Sequence, residues 1–207
     1  IKYQLLKNIA LMKDAINAYL NSVKTICPKV TSKELNYIES GLNVKELKPK
    51  DFFISANTIQ NEIGFVFSGL LRSFYADKNL HQITVKFVCE NEFAIDFPAF
   101  TSESQSKYNF QCIVTTSIVC LSLKHIQEGY EKFPILERYG RLVAEEIVKI
   151  QQKRIASFLF ETAEERYIQF VKEYPTLFNR VSVSDLSSYL GIERQSLTRI
   201  RKKLTNN

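Results

Sequence analysis

Two histidines, His81 and His125, and four cysteines, Cys27, Cys89, Cys112 and Cys120, are the whole supply of soft metal ligands in this 207-residue chain. The cysteines form no CxxC pair or other close ligand spacing, and the histidines stand far apart, so no metal site is expected. A metal-dependent barrel enzyme would need several His and carboxylate ligands converging on one pocket, and this scarcity argues against that class. The cysteines are expected to be buried free thiols, and the histidines surface or hydrogen-bonded side chains. Catalytic glycine motifs are also missing: there is no nucleophile elbow, Walker loop or GxGxxG. No catalysed reaction is expected. Long apolar runs are absent too, since stretches such as Ile63 to Phe67 are far too short to span a bilayer. Lys2, Lys7, Lys13 and Asp14 break up any signal-peptide core, so the expected compartment is the cytoplasm and no membrane partner is expected.

What the chain has in excess is positive charge. A formal net charge of +6 suits a polyanionic partner, although charge alone does not separate nucleic acid from a membrane surface. The length allows one sizeable core and a small second domain.

Residues 1 to 22 carry Leu5, Leu6, Ile9, Met12, Ile16, Tyr19 and Leu20 at spacings of three and four, which predicts an amphipathic helix. A second short helix is predicted from Thr31 to Ser40, with Leu35 and Ile38 inward and Gly41 as the stop. From Asn43 to Leu123 the texture becomes β-rich, with runs at Gly64 to Phe67, Leu70 to Tyr75, Gln82 to Val88 and Gln111 to Leu123. This predicts a jelly roll or similar double sheet, with the polar Ser102 to Lys107 as an exposed loop. A long helix follows from near Pro134 to about Ser157. Its Leu136, Gly140, Val143, Ile147, Ile150 and Arg154 repeat in steps of four and three, the seam of a helix paired with another helix. Leu136, Val143, Ile147 and Ile150 are therefore the candidate dimer interface. Packing on the chain's own barrel would need a similar stripe. Another helix, Thr162 to Tyr174, ends at Pro175.

The stretch Val183 to Leu204 reads as a helix-turn-helix. With Gly191 as the turn, Leu186, Ser187, Leu190, Ile192, Leu197, Ile200 and Leu204 fall where two crossing helices must touch. A glycine can take the left-handed conformation such a turn needs at no Cβ cost. The opposite stripe of the second helix carries Gln195, Thr198, Arg199 and Lys202 at the spacing of one face. Between Glu193 and Lys203, Arg194, Arg199, Arg201, Lys202 and Lys203 stand against Glu193 as the one acidic residue. A solvated basic helix would show the charge but would leave Gly191 without a reason. DNA is the expected partner.

In order and motifs the chain resembles the Crp/Fnr family of bacterial transcription regulators. The resemblance covers nearly the whole length. Its most specific parts are the strand-turn-strand from Phe65 through Ser68-Gly69 to Tyr75, and Leu190-Gly191-Ile192 followed by Arg194 to Ile200. It implies an α+β fold: a cyclic-nucleotide-binding-like jelly roll with flanking helices over residues 1–132, a long dimerisation helix over 133–158, and a small helix-turn-helix domain over 159–207. It implies a homodimer on a palindromic operator in double-stranded DNA, with RNA polymerase as a further partner. Arg194, Gln195 and Arg199 would read base edges, Gln195 being better matched to adenine than the glutamate common in the family. Ser196, Thr198, Lys202 and Lys203 would hold phosphates. The rival is a small-molecule-binding barrel, sensor or enzyme, whose C-terminal helices serve only assembly.

The resemblance breaks at the nucleotide pocket. Cyclic-nucleotide binders of the family hold the ribose with a Gly-Glu pair before a short helix, and the phosphate with an Arg and a small hydroxyl residue after it. Ile95-Asp96 and Ser106-Lys107 stand at those places. A lysine point charge does not replace the bidentate guanidinium, so cyclic AMP is not expected as effector and no cofactor is assigned. The sequence also stops three residues after Leu204, where the resemblance implies a β-hairpin wing; either the end is untraced or this branch of the family lacks the wing.

Overall fold

The computed structural model describes residues 2–205. It divides into two compact units, one built from the chain up to Ser73 together with Phe87–Glu146, the other from Phe74–Lys86 together with the chain from Ile147 onward. The division falls inside the long helix, between Glu146 and Ile147.

The chain before the long helix forms helix α1 (Lys2–Ile26), helix α2 (Ser32–Ser40) and strands β1 (Leu42–Leu47), β2 (Phe52–Ile54), β3 (Glu62–Ser68), β4 (Leu71–Ala76), β5 (Gln82–Val88), β6 (Phe93–Ala94), β7 (Asn109–Cys112) and β8 (Thr116–Ser122), all in the first unit except the outer part of the β4–β5 hairpin, Phe74–Lys86. They form two four-stranded sheets, ordered β1-β8-β3-β6 and β2-β7-β4-β5. Strand β8 lies between β1 and β3, antiparallel to both, with Leu42 opposite Leu121 and Phe65 opposite Val119. The single run read from Gln111 to Leu123 is thus two strands with a turn between them. Between the sheets Ile54, Val66, Leu71, Val88, Phe110 and Ile118 fill the roll. Burying these side chains, at about 1.5–3 kcal/mol each, stabilises the roll by roughly 10–20 kcal/mol before chain entropy is counted.

Helix α1 lies on the outer face of the first sheet. Its buried stripe is Ala15, Tyr19 and Val23, one turn apart, and Tyr19 meets Phe65 edge-on at 5.4 Å. Ile9 and Met12, expected inward, are 42% and 44% exposed, because only the later turns of the helix reach the roll. The side chains of Leu5 and Leu6 lie outside the described residues. Helix α2 begins as expected, with Thr31 and Glu34 forming a reciprocal capping box and Leu35 and Ile38 buried. A short helix α3 (Phe97–Thr101) interrupts the strands, and α4 (Leu123–Lys132), which the sequence reading missed, follows β8 directly. His125 on α4 stacks on Tyr37 at 4.3 Å, and its Nε2 lies 2.9 Å from the Tyr37 carbonyl. Cys27, Cys112 and Cys120 are buried free thiols, and Cys89 is half-buried.

Helix α5 (Pro134–Phe160) has two halves with different duties. Leu136 and Tyr139 are 4% and 8% exposed and belong to the core of the first unit, with Val143 packed against that core. Leu136 therefore serves its own chain, not the surface stripe to which the sequence assigned it. Farther along, Val148 is 51% exposed, Ile155 53% and Leu159 70%. The second unit continues with α6 (Ala163–Glu173), a 3-10 turn (Leu177–Asn179), α7 (Val183–Leu190) and α8 (Arg194–Thr205). In the same unit the outer part of the β4–β5 hairpin meets α7: the Thr84 N–H donates to Ser188 Oγ at 2.9 Å. Among the described residues no helix is long and apolar enough to cross a membrane.

Candidate nucleic-acid interface

Helix α7 is capped by Ser182, whose Oγ accepts from the Asp185 N–H at 3.0 Å. It ends at Gly191, which takes φ +68° and ψ +37°. That left-handed residue turns the chain so that the N–H of Ile192 reaches back to the Ser187 carbonyl at 3.0 Å. A second constraint fixes the glycine, since a Cβ there would meet Phe158 Cε1 at 2.7 Å. Helix α8 then begins, its first bond running from the Leu197 N–H to the Glu193 carbonyl. Glu193 thus stands at the N-cap.

The predicted packing stripe is in place. Leu186, Leu190 and Leu197 are fully buried, Ser187 is 3% exposed and Ile200 9%, while Ile192 and Leu204 are half-buried. Tyr167 and Phe170 of α6, Leu177 and Val181 complete this small core. None of these four was named from the sequence, although the spacing of Tyr167 and Phe170 was there to be read.

The opposite face is open. Arg194, Gln195, Thr198, Arg199, Lys202 and Lys203 are exposed, and Ser196 is half-buried. Three of the five cations, Arg194, Arg199 and Lys202, stand exposed on this face. Arg201 turns the other way, its guanidinium 4.6 Å from the Phe178 ring centre. Lys203 forms an ion pair with Glu164, Nζ to Oε2 at 2.7 Å. Thr198 Oγ1 donates to the Arg194 carbonyl at 3.0 Å, so its hydroxyl already serves the helix. The best-presented group is therefore Arg194, Gln195, Arg199 and Lys202: two guanidinium forks, one amide and one ammonium on one helical face.

In the first unit, Asp96 and Ser106 are 7% and 1% exposed. Ser106 is thus not part of an exposed loop. Its Oγ donates to Asp96 Oδ2 at 2.8 Å, and the Asp96 N–H donates to Gln60 Oε1 at 3.1 Å. The two positions that the resemblance assigned to ribose and phosphate are bonded to each other. Lys107 is exposed.

Of the proposed dimer residues, Leu136 is buried, Val143 and Ile147 are half-buried, and Ile150 is 43% exposed. A second four-three-four series, Ala144, Val148, Gln151 and Ile155, runs along the more exposed side of α5.

No family model and no curated protein matches the chain. Solved structures do. FixK2 from Bradyrhizobium japonicum is 14% identical, with 80% of this chain and 85% of that one covered and a TM-score of 0.68. CLP of Xanthomonas campestris, a c-di-GMP responsive global regulator, is 12% identical over 85% and 92% of the two chains, with a TM-score of 0.67. A protein described as a transcriptional regulator of the Crp/Fnr family from Eubacterium rectale is 12% identical over 86% and 85%, also at 0.67. At these identities the likeness establishes the fold: a cyclic-nucleotide-binding-like roll, a long helix and a C-terminal helix-turn-helix, as in Crp/Fnr-type regulators.

Proposed function

We propose that a chain with this fold is a sequence-specific DNA-binding transcription regulator, acting in the bacterial cytoplasm as a homodimer on a palindromic operator and without cyclic AMP as effector. The observation that carries the reading is the α8 face: Arg194, Gln195, Arg199 and Lys202 exposed on a helix whose other side is locked by Leu186, Leu190 and Leu197. Bidentate reading of a base needs such rigidity, because a side chain on a loose helix loses the geometry that discriminates bases. The exposed Val148 and Ile155 on α5 support a second copy as partner, since a two-fold protein presents two reading helices to two half-sites. The Asp96–Ser106 hydrogen bond and the lack of an arginine beside Ser106 support the exclusion of cyclic AMP. Under this reading RNA polymerase is the further partner and no reaction is catalysed.

The test is selection of bound sequences from random duplex, followed by fluorescence anisotropy on the selected palindrome and on a scrambled duplex across a salt series. A preference of about a thousand-fold or more is expected. Equal affinity for the two duplexes would refute the reading.

A further inference from the structure

The four carbonyls that end an α-helix have no partner inside it and must be satisfied from outside. In α7 these are Ser187, Ser188, Tyr189 and Leu190. The first two accept from the turn itself, through the N–H groups of Ile192 and Gly191. The last two are taken by arginines from other helices. Arg154 of α5 donates through Nη2 to the Tyr189 carbonyl. Arg166 of α6 donates through Nε to the Leu190 carbonyl at 3.1 Å and through Nη1 to the Glu161 carbonyl at 2.6 Å. Both cations also sit at the negative end of the α7 dipole.

Aromatic rings hold the Arg154 guanidinium in place. It lies 3.7 Å from the Tyr189 ring centre and 4.3 Å from that of Phe158, while Arg166 approaches the same Phe158 ring at 5.0 Å. Phe158 in turn lies beside Gly191, where an added Cβ would come within 2.7 Å of its Cε1. The last turns of α5 thus grip the corner at which the chain turns from α7 into α8. All these residues lie in the second unit.

We propose that Arg154 is a positioning residue for DNA reading: it completes the C-terminal cap of α7 and so fixes the angle at which Gly191 passes the chain into α8. This rests on the DNA-reading function proposed above. Arg154 is not on the exposed α8 face, so its loss leaves the donors that meet phosphate untouched. Flexible lysines and arginines tolerate a tilted helix when they bind phosphates, whereas bidentate contacts to base edges do not. Lysine keeps the charge at the helix end but lacks the flat fork that stacks and donates together.

The experiment compares full-length wild type, Arg154→Lys and Arg154→Ala by anisotropy on the selected palindrome and on scrambled duplex, with helical content followed by circular dichroism. Affinity for scrambled duplex should stay within about two-fold of wild type. Preference for the palindrome should fall about ten-fold or more in Arg154→Ala, with Arg154→Lys between it and wild type. Wild-type preference in both variants overturns the proposal, and so does an equal loss on both duplexes in a variant that remains folded. Where Arg154→Ala loses helical content, Arg154→Lys decides by the same two criteria. Absence of any preference in the wild type refutes the DNA-reading function itself, and the wild-type arm reports that before any variant is compared.

Discussion

Gly191→Ala tests the corner of the helix-turn-helix most directly, because two independent physical terms oppose a methyl group there. Gly191 sits at φ +68°, where an L-residue with a Cβ loses about 1–2 kcal/mol. The added Cβ would also lie 2.7 Å from Phe158 Cε1, a distance at which one atom must move. Phe158 is 46% exposed and can swing outward, but only by loosening its contacts with the Arg154 and Arg166 guanidinium groups. That places the second term near the low end of the overpacking range, about 1 kcal/mol. The sum is about 2–3 kcal/mol, all in the second unit. A global melting curve of a two-unit protein would blur it, so amide hydrogen exchange is the suitable assay. Protection at Leu190, Leu197 and Ile200 should fall roughly 30- to 150-fold, with amides of β3 and β8 unchanged. Repeating Gly191→Ala in a Phe158→Ala background removes the collision and leaves the dihedral cost, so an interaction energy of about 1 kcal/mol is expected. Loss of less than about 0.5 kcal/mol in the single variant would refute the reasoning, and an equal cost in both backgrounds would remove the steric half of it.

Arg199→Ala should cost about 1–3 kcal/mol on the selected palindrome and relax preference at one base pair, whereas Lys202→Ala should weaken all duplexes alike and lower the salt slope by about one per bound subunit. An unchanged specific-to-scrambled ratio in Arg199→Ala would contradict the assigned role. Ile155→Glu should leave the fold intact and turn a dimer into a monomer by light scattering; Leu136→Ala should instead destabilise the first unit by about 2–5 kcal/mol. Micromolar cyclic AMP should not raise the melting temperature, although a ligand at 100 times its Kd would add about 2.7 kcal/mol. Burial pushes the Tyr19 phenol, ordinarily at 10.0, up to about 12, and the Cys120 thiol, ordinarily at 9.0, up to about 12. Both groups hold their protons longer in the folded state, so their contribution is full below about pH 9 and is lost as pH rises toward 12. Urea unfolding of the first unit under reducing conditions that gave equal stability at pH 8.5 and 11 would contradict this.

The helix-turn-helix was legible because its signals are local. Gly191, the stripe of Leu186, Leu190 and Leu197, and the outward Gln195 and Arg199 all fall within a short segment, and each has one structural explanation. The fate of individual charges was not legible. Lys203, read as a phosphate contact, pairs with Glu164 of α6, and Arg201 turns inward onto Phe178, neither of which the spacing along α8 reveals. Helix α5 contains more than one four-three series, and periodicity cannot tell which one meets the chain's own core; the packing of Leu136 and Tyr139 on the first unit decides it. The turn after Cys112 was hidden by its residues, since Ile113, Val114 and Thr115 read as strand formers. Ser106 looked exposed in a polar run, and only the partner carboxylate of Asp96 explains its burial.

The place of β8 in the first sheet bears on how the protein is made. Strand β1 has β8 as its sheet neighbour, and β3 has β8 on one side, yet β8 is the last strand of the roll to leave the ribosome. Until residues 116–122 emerge, β1 has no strand to pair with, and the α1 face bearing Tyr19 has an unfinished sheet to lie on. Such long-range pairing slows folding and leaves unpaired edges and apolar faces open to wrong partners during synthesis. Chains truncated before β8 should therefore be captured by chaperones or aggregate, because the β1-β8-β3-β6 sheet is completed only when its last strand arrives.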